Sequence, residues 1–136
     1  MRSLYLQLAT EAAALNRKEL EKKLSPITSQ LLKEKGYISM IDVFIRLGYL
    51  NEKDIESWRM KRISYLEKCI TTNLGKVSFV VKTVRASCIN GKLKDSFTSY
   101  KSWGKGQKVT LRFSKSGEPH IEKVYATHYL KRKVLI

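Results

Sequence analysis

From Leu66 to Cys88 the apolar residues Leu66, Ile70, Leu74, Val77, Val81, Val84 and Cys88 follow one another at gaps of four or three. A helix turns once per ~3.6 residues, so this spacing puts all seven on one face and commits the segment to lie against a core. Val77-Ser78-Phe79-Val80-Val81 by itself has the β-branched content of a strand. The helical period continues past both ends of that window, and helix is the expectation. Gly75 costs a helix interior about 1 kcal/mol relative to Ala and is a point where the stripe can divide, with Asn73 capping the second part. Asn90-Gly91 ends it.

The N-terminal part carries the same kind of signal. Leu8, Ala12, Leu15, Leu20 and Leu24 recur near helical spacing over Leu4–Leu24, with Lys18, Glu19, Glu21 and Lys22 between them. Ser25 followed by Pro26 reads as an N-cap and a first helical position, so a second helix with Ile27, Leu31 and Leu32 is expected, stopping at Gly36. Ser39, with Asp42 three residues on, has the reciprocal capping pattern for a short third helix that buries Met40, Val43, Phe44 and Leu47 and ends at Gly48. Asn51 and Asp54 repeat the signal for a fourth, containing Ile55, Trp58 and Ile63.

Beyond Gly91 the period changes. Lys92 to Gly106 reads as a loop, and then Val109, Leu111 and Phe113 alternate with Lys108, Thr110, Arg112 and Ser114 as in a half-buried strand. Ser116-Gly117 marks a tight turn, and His120 to Leu130 is the expected returning strand, its register open. The expected architecture is α+β: an N-terminal body of four to five helices, one of them long, followed by a C-terminal antiparallel β-hairpin. Residues 1–136 are expected to form a single domain, mainly helical over 1–90, with a basic loop plus β-hairpin over 91–136. The 43% apolar content and the scarcity of Pro (2) and Gly (7) fit a packed chain of this length rather than a disordered one.

The run from Ser3 to Leu15 is interrupted by Gln7 and Glu11, which makes it a poor signal-peptide core and too short to cross a bilayer. Cys69 and Cys88 fall in sequence of helical period; on one helix they would stand ~28 Å apart, beyond disulfide reach. Two lone thiols at apolar positions suit a reducing compartment, so a cytoplasmic protein is expected.

Charge divides the chain. Residues 1–68 carry a net +4 and residues 69–136 a net +11, because the second half keeps 14 cations but only 3 acids. A surface charged for solubility mixes both signs; removing the acids from one half makes a one-signed field that favours anionic partners. The lean is strongest between Lys76 and Lys115. Ten cations stand there, namely Lys76, Lys82, Arg85, Lys92, Lys94, Lys101, Lys105, Lys108, Arg112 and Lys115, against Asp95 alone. Phe79, Phe97, Tyr100, Trp103 and Phe113 are interleaved with them. Cations neutralise phosphates and release counterions, and exposed rings offer faces for unpaired bases. Those ten cations together with Tyr100 and Trp103 are the candidate nucleic-acid-binding residues. Ser78, Lys82 and Arg85 share the side of the long helix away from its apolar stripe, and Lys108 and Arg112 share one strand face. The loop Ser99–Gly106 adds hydroxyls and two glycines that let backbone amides approach an anion. Against this, Phe79 and Phe113 are better read as core, and Trp103 as a lid over the core is the simpler alternative.

The pair of short helices around Gly48 resembles a helix-turn-helix in outline only. Bulky Phe44 stands where a small residue is wanted, Asn51 where an apolar one is, and the second helix opens with Glu52, Asp54 and Glu56, of the wrong sign for phosphates. Arg59, Lys61 and Arg62 at its far end remain able to touch a backbone. Gly91-Lys92 and Gly104-Lys105 lack the rest of a phosphate-binding loop. No cofactor and no metal site is expected: His120 and His128 on one strand would stand ~26 Å apart. The expected function is nucleic-acid binding without intrinsic catalysis, RNA or single strands ahead of duplex DNA, with no stable membrane insertion and an open oligomeric state. The alternatives are a small metal-independent ribonuclease using His120 or His128 with Tyr100 or Tyr125 and Arg112, and an adaptor for an acidic protein. The tail Lys131-Arg132-Lys133 is too small a cluster for stable attachment to an anionic membrane.

Overall fold

The computed structural model describes residues 4–132, with side chains from Arg17 onward. The side chains of Leu8, Ala12 and Leu15, the apolar run from Ser3 to Leu15, and residues 133–136 of the basic tail therefore lie outside what is described below. Helix α1 runs from Leu4 to Lys35 with Pro26 inside it, so the two expected helices are one. Pro26 has no N–H for the Lys22 carbonyl, which ordinarily breaks a helix. Burial holds the two halves in line: Leu20 and Leu24 before the proline and Leu31 after it all enter the same core. The Thr28 hydroxyl also donates to the Leu24 and Ser25 carbonyls, each at 3.1 Å.

The short capped helices form as the sequence indicates. Strand β1 is only Tyr37–Ile38, and α2 spans Met40–Arg46. Ser39 Oγ accepts from the Asp42 amide and donates to the Asp42 carboxylate, closing the capping pair. Gly48 turns the chain at a φ of 81°, and α3 spans Glu52–Arg59 with Asn51 Oδ1 accepting from the Asp54 amide. Two ion pairs tie α1 to α2, Lys35 to Asp42 at 2.8 Å and Arg46 to Glu34 at 2.6 Å.

The Leu66–Cys88 stripe is interrupted where Gly75 and Asn73 suggested. A single 3-10 turn covers Leu66–Cys69, and α4 runs from Leu74 to Asn90 with Asn73 Oδ1 accepting from the Lys76 amide. The two cysteines consequently sit on separate elements, both as free thiols. Burial pushes the Cys88 thiol up to about 11. Val77, Val81, Val84 and Cys88 are buried as the period requires, whereas Leu74, in the first turn, is exposed.

The C-terminal region is α+β with antiparallel strands, but not at the expected positions. Part of the presumed loop is strand β2, Lys94–Phe97. The presumed returning strand is split between α5, Pro119–Ala126, and β3, Thr127–Leu130. Pro119 opens that helix at a position where its missing N–H costs nothing, and Ile121, Val124 and Tyr125 have helical spacing. β3 is the central strand, pairing antiparallel with β2 (Asp95 opposite Tyr129) and with β1 (Ile38 opposite Tyr129). The segment Val109–Phe113 is extended and turns Leu111 and Phe113 inward, yet it makes only one bridge, Thr110 with Lys101. Its backbone-to-backbone hydrogen bonds go to Tyr100 and Ser102 on one side and to Leu66 and Glu67 on the other.

One buried cluster draws on every helix. At its centre Trp58 is fully buried, its indole N–H donating to the Arg112 carbonyl at 2.8 Å. Around it Tyr100, Phe113 and Tyr125 form a chain of ring contacts 5.0–5.7 Å apart between centroids. Among the described residues no helix is long and apolar enough to cross a membrane.

Candidate nucleic-acid interface

The fold distributes the candidate residues over three groups of elements. The first is built by the end of α3 and the segment it grips. α3 closes with the Lys61 amide donating to the Trp58 carbonyl (3.1 Å) and the Arg62 amide to that of Ser57 (2.8 Å). This closure needs left-handed backbone at the residue after the cap, where glycine is usual, and Lys61 takes it with a φ of 63°. A side chain in that conformation costs roughly 1–2 kcal/mol. Two residues before Lys61, the Arg59 carbonyl accepts from the Trp103 amide at 2.7 Å, and Arg59 Nη1 donates to the Lys101 carbonyl at 2.8 Å. Its guanidinium stands 4.7 Å from the Tyr100 ring centroid and 5.2 Å from that of Trp103. Burial lowers the Arg59 pKa from its ordinary value, opposed by Tyr100, and the guanidinium remains charged.

The gripped segment presents cations outward. Ser102 and Leu111 donate their amides to the Val109 and Tyr100 carbonyls, which holds residues 100–102 beside 109–111. Lys101 Nζ donates to Thr110 Oγ1, and Lys108 Nζ to the Gly104 carbonyl. Gly104 and Gly106 have φ of 97° and 99°, the left-handed turns for which the loop uses glycine. Lys61 and Arg112 border the same shallow cleft, of about 280 Å³. Trp103 is half exposed, at 50%, so it is not a lid over the core, and Val109 and Met60 are exposed near it. Both ion pairs among the described residues lie between α1 and α2, so none of these cations shares one.

Tyr100, expected among the contact residues, is the correction. It is buried, its ring packed by Trp58, Phe113 and the Arg59 guanidinium, and its hydroxyl is 2.7 Å from His128 Nε2. No face is left for a base. Burial pushes its phenol up to about 12. Phe113 is core as read, Phe79 is partly buried beside Arg17, and Phe97 is exposed at the end of β2.

Lys82 and Arg85 belong to a second group. The side of α4 that carries them with Ser78, away from most of the apolar stripe, borders a trough of about 300 Å³ against α5; Ser78 and Lys82 are exposed there and Arg85 is half-buried. The third group is spread out. Lys76 is exposed in the first turn of α4, while Lys92 and Lys94 follow its last turn, and the helix rises ~21 Å between Lys76 and Asn90. Lys92 repeats the left-handed closure seen at Lys61, with a φ of 57°. Lys115 is exposed, its amide 3.4 Å from a Glu67 carboxylate oxygen.

Arg59 and Lys61, expected only as backbone contacts at the far end of a helix and not among the candidate residues, lie some forty residues from the loop they join. The signal was their position at the basic end of α3. The rest of α3 does not suit a recognition helix: Trp58 is fully buried, and exposed Glu52 and Glu56 border an acidic groove with Ile41, Ile45 and Trp103. Of the two histidines, His128 is half-buried, stacked on Tyr37 at 5.1 Å and held by Tyr100. Among the described residues no three His, Cys, Asp or Glu side chains converge as a metal site requires. Comparison with protein-family models, with curated proteins and with solved structures finds no match for this chain.

Proposed function

We propose that the protein binds nucleic acid, without catalysis, through the Arg59–Arg62 turn and the Lys101–Arg112 segment. The observation that carries this reading is the half-exposed Trp103, backed on the Arg59 guanidinium within a loop of unpaired cations, Lys101, Lys105 and Lys108, with Lys61 and Arg112 on the adjoining cleft. A ring held in this way offers a face to an unstacked base while ammonium and guanidinium groups meet the phosphates. Single strands and RNA loops therefore suit it better than a closed duplex, whose bases are already stacked. The acidic groove that Trp103 also lines, with Asp42, Glu52 and Glu56, repels phosphates and gives the strand a preferred side of approach.

The test is a salt titration of binding to a labelled single strand. With about five phosphates engaged, log affinity falls against log salt with a slope of roughly −3.5 to −4.5. A flat response rejects the reading, as does binding to an acidic protein with indifference to oligonucleotides. The triple variant Lys101→Ala, Lys105→Ala, Arg112→Ala is expected to weaken binding to all sequences alike and to make the slope shallower by roughly 2–3. Trp103→Ala is expected to cost about 1–3 kcal/mol of affinity, read by the same titration, with the melting temperature unchanged.

A further inference from the structure

The trough between α4 and α5 lies outside the surface just proposed, and we propose that it is a subsite for one nucleotide, its base against the aliphatic floor and its phosphate on Lys82 and Arg85. This rests on the reading that the ligand is nucleic acid. The floor is aliphatic, with Val77 and Val81 from α4 facing Ile121 and Val124 from α5. Along α4, Leu74 lies at one end of the lining stripe and Lys82 and Arg85 two to three turns further on, ~12–16 Å away. One end of the trough is thus apolar and the other cationic. Its volume, about 300 Å³, is at the small end for ligand sites. That suits an elongated ligand with a flat or apolar body and an anionic head.

Two polar groups inside the trough distinguish a base from an acyl chain. Ser78 and Glu67 both line it, together with His120 and Tyr125. Glu67 is held in place by the Tyr125 hydroxyl, which donates to it at 2.9 Å, and each carboxylate oxygen has room for more than one donor. An acyl chain would desolvate both groups and return nothing, whereas a base with an exocyclic amine brings donors. A carboxylate acceptor also discriminates: it accepts from the amine of cytosine and repels the carbonyl that uracil has at the same place. Cytidine and uridine monophosphate therefore separate by roughly tenfold or more in affinity.

The test is amide-resonance mapping of the full chain with cytidine 5′-monophosphate, uridine 5′-monophosphate, ribose 5-phosphate and decanoate. Saturable shifts confined to residues 77–85 and 121–124, in the order cytidine, uridine, ribose phosphate, with decanoate inert, are the expected result. Decanoate saturating the same amides reassigns the trough to acyl anions and overturns the proposal. Equal affinity for ribose 5-phosphate and the nucleotides overturns it too, leaving only an anion contact. Ser78→Trp fills the trough from an exposed helix position and is expected to abolish the shifts; Lys82→Ala, also at an exposed position, is expected to weaken them. Either variant leaving the titration unchanged counts against the site. Failure here is separable from failure of the loop surface. Oligonucleotide binding that keeps its salt slope while the trough amides stay silent sinks only the subsite. Nucleotide shifts in a protein that ignores oligonucleotides sink the loop reading and leave a site for a free nucleotide.

Discussion

Glu122 is one of only three acids in the second half of the chain, and it is spent internally. Its carboxylate accepts from the Phe113 amide (2.7 Å), the Ser114 amide (2.8 Å) and the Ser114 hydroxyl (2.6 Å), fixing the turn that follows Arg112. Glu122→Ala leaves those donors unsatisfied, and chemical denaturation is expected to show a loss of about 2–4 kcal/mol. A carboxylate held by amides offers little to a neighbouring lysine, so the basic character of the region survives the presence of an acid. His128 supplies a second test. Burial lowers its pKa below the ordinary 6.5, outweighing the attraction of Asp42. The unfolded chain then binds the proton at a higher pH than the fold, so stability rises with pH in that interval. The denaturation midpoint is expected to be level above about pH 6.5 and to fall as the pH drops from there towards the folded value. His128→Gln, which keeps a hydrogen-bond partner for the Tyr100 hydroxyl, should flatten that limb.

At the scale of elements, α1 and α5 show how burial overrides local punctuation. Ser25-Pro26 has the residue types of a helix start, yet the chain continues because Leu24 and Leu31 on either side enter one core. Pro26 is itself exposed, so its side chain contributes no packing. Pro26→Ala restores a donor for the Lys22 carbonyl, and a rise of about 1–3 kcal/mol in stability is expected, read as a higher melting temperature. α5 makes the converse point. Its residues are rich in β-formers, and the alternation around Val109–Phe113 invites a hairpin partner. The helical spacing of Ile121, Val124 and Tyr125 serves burial against α4 and α2 instead, and the strand β3 that follows pairs with β2 and β1.

On the scale of the whole molecule, a net charge of +15 on 136 residues sets two opposite salt dependences. Like charges in the fold repel, so added salt is expected to raise the melting temperature until screening is complete, at ionic strengths where the Debye length falls below ~10 Å. Affinity for nucleic acid, on the reading proposed above, falls over the same range. Measuring both on one preparation separates a basic surface from a general effect of salt. A melting temperature indifferent to salt would mean that the cations are already neutralised within the fold.

Local rules sufficed for much of this chain. The caps at Ser39, Asn51 and Asn73, the stops at Gly48 and Asn90-Gly91 and the helical identity of Leu74–Asn90 all follow from hydrogen bonds and side-chain periods spanning a few residues, which a linear sequence displays directly. So does the charge imbalance, and with it the expectation of an anionic partner. Tertiary structure alone decided which cations stand together, bringing Arg59 and Lys61 to the 101–112 loop and separating Lys92 and Lys94 from it. It also decided that Tyr100 is interior while Trp103 is half exposed, although both are aromatic residues in the same loop. The physical reason is common to both outcomes: which face of a loop is covered depends on contacts between residues far apart in the chain, here the Trp58 ring cluster and the Arg59 clamp, and neither periodicity nor composition carries that information.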